Sequence, residues 1–307
     1  MKKISIIIPA YNCERTIEKT INSVLNQSIK NIEIIIIDDG STDQTSRICK
    51  NYQNQINYIK TINQGCSQAR NLGIINSTSE YLYFLDSDDW LDSNLLENMY
   101  NKATKKKLDI VICGIRKINE NFKELSKIHP QINLNTNADY FSSPCNKLYK
   151  KSLFKNKDLF FTKDIFCGED LLFNFKLFTQ TSSIGIEKKY FYNYYMNLNS
   201  TSNNYKNRID IYKVLKEMIN FSKKYHIYDT MFYEIQNCYK YHGIAYPYDV
   251  LQKLKLNNNK DFKNLRKEIE LHIKSFKFLE NFSIKFYHFY RKFRLKMIFL
   301  KKYIKGR

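Results

Sequence analysis

The sequence predicts an α/β fold with a mostly parallel central sheet, and three observations support this. First, five short apolar runs rich in Ile, Leu, Val or Tyr occur in the first third of the chain. Second, polar segments of helical length separate most of these runs, as in parallel sheets covered on both faces. Third, only 8 Gly and 4 Pro occur in 307 residues, so long linkers are not expected. The predicted strands are Ile4–Pro9, Ile32–Ile37, Tyr58–Ile62, Tyr81–Leu85 and Leu108–Cys113.

Polar residues directly follow three of these strands: "PAYN" after the first, "DDGSTD" after the second and "DSDDW" after the fourth. Ligands of parallel α/β sheets bind beyond the carboxyl ends of the strands. A structural explanation is also open for "DDGSTD", because Gly40 suits a turn and Ser41 and Thr42 suit a helix cap. The three segments together favour a ligand site at one edge of the sheet.

The stretch "YLYFLDSDDW", residues 81–90, places three carboxylates within four positions at the end of an apolar strand. Like charges this close repel one another, and each carboxylate resists burial. The pattern therefore indicates a cation or a polar ligand among them.

A second acidic group, Glu169 and Asp170, precedes the apolar segment "LLFNFKLF". The spacing of Leu171, Leu172 and Phe175 predicts a helix face, with both acids in the first turn. Helix dipoles favour carboxylates there, so a purely structural role is one alternative and catalysis is the other.

The end of the chain is predicted to be helical and strongly basic. Nine Lys or Arg and no acid occur from Lys285 to Arg307. One apolar helical stripe accompanies them: Phe286, Tyr290, Phe293, Met297, Leu300 and Ile304. This composition favours a helix in an anionic lipid interface, with packing on the protein's own body and nucleic-acid binding as alternatives.

Composition narrows the class of protein. The 50 Lys and Arg against 30 Asp and Glu give a formal charge of +20, which predicts a polyanionic ligand or surface as a neighbour. Seven cysteines without a CxxC pair fit reduced thiols in the cytoplasm. Neither a secretion leader nor an apolar run of about 18 residues is present, so export and membrane spanning are not expected. Walker and GxGxxG motifs are absent, which argues against an ATPase or a dinucleotide enzyme.

Six segments, in this order, resemble the inverting, nucleotide-sugar-dependent glycosyltransferases of family 2. They are "SIIIPAYNCERTIEKTINSVLNQ", "IEIIIIDDGSTDQT", "NQGCSQARNLGI", "YLYFLDSDDW", "PCNKLYKKSLF" and "GEDLLFNFKLF". The resemblance implies a GT-A fold, a Rossmann-like arrangement with a mostly parallel sheet. We expect a catalytic domain over residues 1–205 and a helical C-terminal region over residues 206–307 with the basic tail.

The resemblance also implies which residues bind the nucleotide. Pro9, Tyr11 and Glu14 correspond to the segment that cradles the base. Asp39 is similar to the aspartate that accepts a hydrogen bond from the base. Arg70 corresponds to a position near the diphosphate, where a fixed positive charge is suitable. A salt bridge to a nearby acid is the alternative for Arg70.

Asp86 and Asp88 match the family's DxD pair. The resemblance implies that Asp86 faces the ribose or sugar and that Asp88 coordinates a divalent cation on the diphosphate. Carboxylate oxygens suit Mg²⁺ or Mn²⁺. Lys147 lies where the family often has a basic residue close to the donor.

Asp170 matches the family's general base, which removes the proton of the acceptor hydroxyl. Glu169 is expected to orient that base or to contact the acceptor. Trp90 either stacks on the acceptor sugar or fills the core.

The resemblance implies a hexosyltransferase of surface-glycan synthesis. Its donor is expected to be a UDP-sugar, and its acceptor a glycan or a lipid-linked saccharide. The basic tail would hold it on the cytoplasmic face of an anionic membrane, and nucleic acid is not expected as a partner. The rival hypotheses are a non-catalytic sugar-nucleotide-binding or scaffold protein and, from charge alone, a nucleic-acid-binding protein.

Overall fold

The computed structural model describes residues 2–130, 143–196, 209–245, 247, 250–251 and 262–279. These residues form two compact units, 1–210 and 211–307. The basic helix with an apolar stripe that is predicted from Lys285 to Arg307 lies outside the described residues. Within them, no helix is both long and apolar enough to cross a bilayer.

The first unit contains nine described strands in one sheet, and the five strands predicted from the sequence are among them. Strands β1, β2, β3 and β4 are parallel, and their order in the sheet is β3-β2-β1-β4. The order continues with β8, β6, β9 and β5, while β7 pairs only with β6. The strands are β1 (Ile4–Ala10), β2 (Ile32–Asp38), β3 (Asn57–Lys60), β4 (Tyr81–Phe84), β5 (Trp90–Leu91), β6 (Ile110–Ile118), β7 (Glu124–Ile128), β8 (Lys147–Lys150) and β9 (Ile184–Tyr195).

Five α-helices of the first unit connect and cover these strands. They are α1 (Ile17–Leu25), α2 (Thr45–Lys50), α3 (Cys66–Asn76), α4 (Leu95–Lys106) and α5 (Glu169–Phe178). Helix α3 packs so closely on β1 that a β-carbon at Gly73 would lie 2.2 Å from Cγ2 of Ile7. Because strands β1 and β4 flank each other in parallel, their carboxyl ends meet at one edge of the sheet.

An aromatic core fixes helix α5 against the sheet. The rings of Phe161 and Phe173 stack with their centroids 3.8 Å apart, and Phe84 of β4 packs edge-on against both. Asn71 of α3 holds the same segment, since its side chain exchanges two hydrogen bonds of 2.9 Å with the backbone of Phe161. The amino-terminal turns of α3 and α5 are therefore positioned relative to each other by well-packed contacts.

The second unit is helical, as expected for the C-terminal region. Its described helices are α6 (Ile211–Lys224), α7 (Tyr228–Cys238), a π-helical turn (Tyr239–Ala245) and α8 (Phe262–Ser275). Tyr212 joins three of these elements, because its ring stacks on His272 at 4.4 Å and its hydroxyl donates to the carbonyl of Gly243 at 2.7 Å. The unit thus has internal packing of its own.

Candidate active site

The loops that follow β1 and β2 are joined by hydrogen bonds across the edge of the sheet. The backbone N–H of Asn12 donates to the hydroxyl of Ser41 at 3.0 Å, and the side chain of Asn12 accepts from the N–H of Thr42 at 2.9 Å. The hydroxyl of Thr45 accepts from the N–H of Cys13 at 2.8 Å. The capping role predicted for Ser41 and Thr42 is therefore wrong, because both face the first loop and α2 begins only at Thr45.

Three residues of the first loop were predicted to cradle the base. Tyr11 is 50% exposed, so its ring is open to a ligand. Pro9 is buried inside β1, one residue before the strand ends. Glu14 accepts the backbone N–H of Gln44 at 2.9 Å and thereby supports the second loop. Tyr11 and Glu14 are therefore the accessible members of the three, and Tyr11 supplies the flat ring.

The two aspartates of "DDG" both hold backbone in place. Asp38 is fully buried and accepts a hydrogen bond of 2.5 Å from the hydroxyl of Tyr58. Asp39 accepts the backbone N–H groups of Gln64 and Gly65 at 2.9 and 2.7 Å, one on each carboxylate oxygen. A carboxylate oxygen has a second lone pair, so these bonds leave Asp39 able to accept another donor.

Two threonine hydroxyls at the start of helix α1 bind backbone carbonyls of the DxD loop. The hydroxyl of Thr16 donates to the carbonyl of Ser87 at 2.9 Å, and the hydroxyl of Thr20 donates to the carbonyl of Asp89 at 2.8 Å. Neither threonine was predicted to have a role, although their i, i+4 spacing at the start of a helix is present in the sequence. Both act as positioning residues for the acidic loop.

Asp89, the last acid of the loop, has a structural role. Its side chain is buried, and it accepts hydrogen bonds from the hydroxyl of Tyr192 and, at 2.7 Å, from the backbone N–H of Tyr195. Burial and the neighbouring carboxylates raise the pKa of Asp89. Asp86 and Asp88 are only partly buried, so the open face of the loop belongs to them.

Arg70 connects the DxD loop with the first turn of α5. Its Nη2 lies 2.9 Å from Oδ1 of Asp86, and its Nη1 lies 2.8 Å from Oδ1 of Asp170. The side chain of Arg70 is 4% exposed, whereas those of Asp86 and Asp170 are 32% and 23% exposed. Arg70 therefore forms the salt bridge that was the alternative for this residue, and it does so with both acids at once.

The two carboxylates that face the open side have raised pKa values. Burial raises the pKa of Asp170 to about 7. The charge of Arg70 opposes this rise, and repulsion from Glu169 and Asp86 adds to it. Burial and the charge of Asp86 raise the pKa of Asp88 to about 6. Raised pKa values of this kind are typical of sites where a carboxylate takes up a proton or a cation.

Asp88 fits the chemistry of a divalent cation site. No group of three or more His, Cys, Asp or Glu side chains is arranged to hold an ion within the residues that the structure describes. Asp88 is nevertheless partly exposed and has a raised pKa, and a cation would relieve its repulsion from Asp86. This donor set suits Mg²⁺ or Mn²⁺ with the remaining ligands from a diphosphate and water.

The remaining predicted residues occupy different environments. Lys147 of β8 is buried and donates to the side chain of Asn146 at 2.8 Å, and burial lowers its pKa to about 8. Glu169 is half-buried beside Asp170 in the first turn of α5. Trp90 lies half-buried in β5, with the ammonium of Lys19 3.1 Å from its ring centroid.

Comparison with known proteins identifies the family of this chain. The model of "Glycosyl transferase family 2" matches residues 5–178. The chain belongs to this family, so the class predicted from the sequence is confirmed.

Individual relatives include named bacterial glycosyltransferases. Poly(ribitol-phosphate) beta-N-acetylglucosaminyltransferase TarP of Staphylococcus aureus is 29% identical over 92% of this chain and 88% of its own length. Glycosyltransferase GlyA of Streptococcus pneumoniae is 40% identical over 38% of this chain. The chain spans 17% of the length of GlyA and 40% of the length of S. aureus TarS.

Solved structures show the same fold. The structure of S. aureus TarS residues 1–349 with UDP has a TM-score of 0.61 at 25% identity, covering 71% of this chain and 65% of that one. The corresponding UDP-GlcNAc complex has a TM-score of 0.62 at 21% identity, covering 89% of this chain and 92% of that one. The predicted GT-A fold is confirmed by this likeness.

Proposed function

We propose that this protein is a metal-dependent inverting hexosyltransferase. It moves a hexose or N-acetylhexosamine from a UDP-sugar to a hydroxyl of a glycan or lipid-linked acceptor in surface-polymer synthesis. The observation that carries this proposal is the Arg70 bridge, which joins Asp170 to the DxD residue Asp86. TarS, solved with UDP and with UDP-GlcNAc, supports a uridine nucleotide as the donor class.

Asp170 is the proposed general base. Its Oδ1 accepts from Arg70, whereas no described residue donates a hydrogen bond to its Oδ2. Oδ2 takes the proton of the acceptor hydroxyl while the oxygen of that hydroxyl forms a bond to the anomeric carbon. The bond from this carbon to the phosphate oxygen breaks in the same displacement, and UDP leaves with the electron pair. Attack from the opposite face inverts the anomeric configuration.

Asp88 would hold Mn²⁺ or Mg²⁺, and a bound cation supplies charge neutralisation for the departing diphosphate. Arg70 has a different role in this account, since both of its terminal nitrogens are engaged with carboxylates. It holds Asp86 and Asp170 at a fixed separation and keeps the base ionised by its positive charge.

The proposed location of the enzyme is the cytoplasmic face of the membrane. This part of the proposal rests on the sequence of residues 285–307, whose basic and apolar composition suits an anionic lipid surface. TarS and TarP are named as N-acetylglucosaminyltransferases that act on poly(ribitol-phosphate). We propose an acceptor of this general kind for the present chain.

Asp88→Asn tests the donor site. We expect metal-dependent affinity for the preferred UDP-sugar to fall about tenfold or more, because the amide is a neutral and weaker ligand for a hard cation. The measurement is calorimetric titration with a panel of UDP-sugars, with and without Mn²⁺. Asp229→Asn, an exposed aspartate of α7, makes the same change elsewhere and should bind as the wild type does. Equal metal-dependent affinity in wild type and Asp88→Asn would contradict the assignment.

A further inference from the structure

An aromatic cluster beside the acidic loop surrounds a lysine ammonium. The cluster consists of Trp90, Phe122, Tyr195 and Lys19. The ring centroids of Phe122 lie 5.9 Å from Trp90 and 6.3 Å from Tyr195. Nζ of Lys19 lies 3.1 Å from the centroid of Trp90 and 3.9 Å from that of Phe122.

This cluster is joined to the candidate active site by covalent and hydrogen-bonded links. Trp90 directly follows Asp89 in the chain, and the backbone N–H of Tyr195 donates to the carboxylate of Asp89 at 2.7 Å. Lys19 precedes Thr20 on α1, whose hydroxyl binds the carbonyl of Asp89. All three contacts converge on one end of the acidic loop, so a ligand on the cluster would lie next to that loop.

Phe122 has an exposed ring and a strained backbone conformation. Its ring is 63% exposed, and its backbone has a φ of 57°, a conformation that bulky residues adopt rarely. The side chain of Asn119 fixes this turn by accepting the N–H groups of Asn121 and Lys123 at 3.1 and 2.9 Å. Glycine would occupy the position without strain. Residues held in sparsely populated backbone conformations are concentrated at functional sites.

Lys19 is a cation without an anionic partner in the described part of the chain. Its side chain is exposed, and the described residues provide neither a carboxylate within 4.0 Å nor a hydrogen-bond acceptor for it. The two rings hold the ammonium by cation–π attraction, which leaves its N–H groups available to a ligand. A partly desolvated cation between aromatic faces attracts an anion more strongly than a fully hydrated one.

We propose that this cluster is the acceptor-binding platform of the enzyme and that it selects an anionic glycan. The aromatic faces contact the carbon-bound hydrogens of a sugar or alditol unit. Lys19 binds a phosphate or carboxylate group of the same chain. The proposal rests on the glycosyltransferase function proposed above and adds the class of acceptor and the residues that recognise it.

The chain contains a single tryptophan, so its fluorescence reports directly on Trp90. The full chain is titrated with three oligomers of similar length: a phosphodiester-linked alditol pentamer, a galacturonate pentamer and neutral maltopentaose. We expect at least one anionic oligomer to change the fluorescence at about fivefold or more lower concentration than maltopentaose. The two anionic oligomers distinguish a phosphate from a carboxylate as the recognised group.

Two variants test the residues. Lys19→Gln should weaken the anionic oligomer about fivefold and leave maltopentaose unchanged, because it removes the charge and keeps the side-chain length. Phe122→Gly should weaken all three oligomers about tenfold while relieving the strained turn, so loss of folding is not expected. Lys106→Gln on α4 removes an equally exposed charge and should have no effect.

Equal binding of neutral and anionic oligomers, or unchanged binding in Lys19→Gln, would overturn the proposal. Calorimetric titration with UDP on the same samples separates the two proposals. Both variants should retain wild-type affinity for UDP. Absence of UDP-sugar binding in the wild type would instead refute the proposed function, whatever the oligomers do.

Discussion

Asp170→Asn is expected to lower the turnover of UDP-sugar about a thousandfold while leaving affinity for UDP within about twofold of wild type. Removing a general base typically costs about 10² to 10⁴ in rate. The amide oxygen can still accept from Nη1 of Arg70, which now binds Oδ1 of Asp170 at 2.8 Å. The fold of the site is therefore expected to survive, and release of UDP with time is the measurement.

The control for this variant is Asp229→Asn, which should turn over donor as the wild type does. Turnover of Asp170→Asn within tenfold of wild type would contradict the role of Asp170 as the base. A wild-type protein that binds a UDP-sugar but never releases UDP with any acceptor would favour the rival hypothesis of a non-catalytic binder.

Arg70→Met is expected to damage both stability and catalysis. The guanidinium is nearly buried and joins two carboxylates, which the methionine would leave without a counter-charge. Breaking a fully buried pair costs about 3–5 kcal/mol. Because both acids are partly exposed, we expect about 2 kcal/mol of unfolding free energy to be lost in denaturant titration.

The catalytic consequence of Arg70→Met follows from the pKa of Asp170. Arg70 opposes the raised pKa of this group, so its loss moves the pKa further upward. The base is active only when ionised, and kcat/KM should therefore rise with pH through a higher midpoint than in wild type. At neutral pH we expect a fall of at least about a hundredfold, since base positioning is lost as well.

Arg70→Lys is the matched control for this prediction. It keeps a positive charge but lacks the planar fork that binds two carboxylates at once. It should recover much of the stability and little of the rate. An Arg70→Met protein with the wild-type pH midpoint and wild-type kcat/KM would contradict the positioning role of Arg70.

The sequence predicted the part of the fold that depends on local pattern. All five predicted strands exist. Strands β1, β2, β4 and β6 form because their apolar runs are buried on both faces of the sheet, as the neighbouring Ile6 and Ile7 of β1 are. The short strand β3 is partly exposed and depends on its pairing with β2. Strands β8 and β9 were not predicted. β8 has four residues, and β9 contains the polar stretch "EKK", so neither gives a clear periodic signal and both depend on pairing with β6.

Sequence motifs named the individual residues of the candidate site but not the contacts between them. The resemblance of the DxD and "ED" motifs to family 2 pointed to Asp88 and Asp170, and the roles of both residues stay predictions. The pairing of Arg70 with Asp170 joins residues 100 positions apart and could only be anticipated as one possible salt bridge. The aromatic cluster depends on the positive φ of Phe122. Asn119 and Asn121 favour a turn in this segment, but the sequence does not indicate that a bulky residue adopts the left-handed conformation.

The most direct test of single-displacement transfer by Asp170 is the stereochemistry of the product, and methanol can replace the unidentified acceptor. The wild-type protein is incubated with its preferred α-linked UDP-sugar, Mn²⁺ and methanol, and the methyl glycoside is examined by proton NMR. Methyl glycosides do not interconvert between anomers in neutral solution, so the product preserves the outcome of the transfer. For inverting displacement with Asp170 as the base, we expect the β-anomer from wild type and almost none from Asp170→Asn. Formation of the α-anomer, or equal β-anomer from the variant, would contradict it.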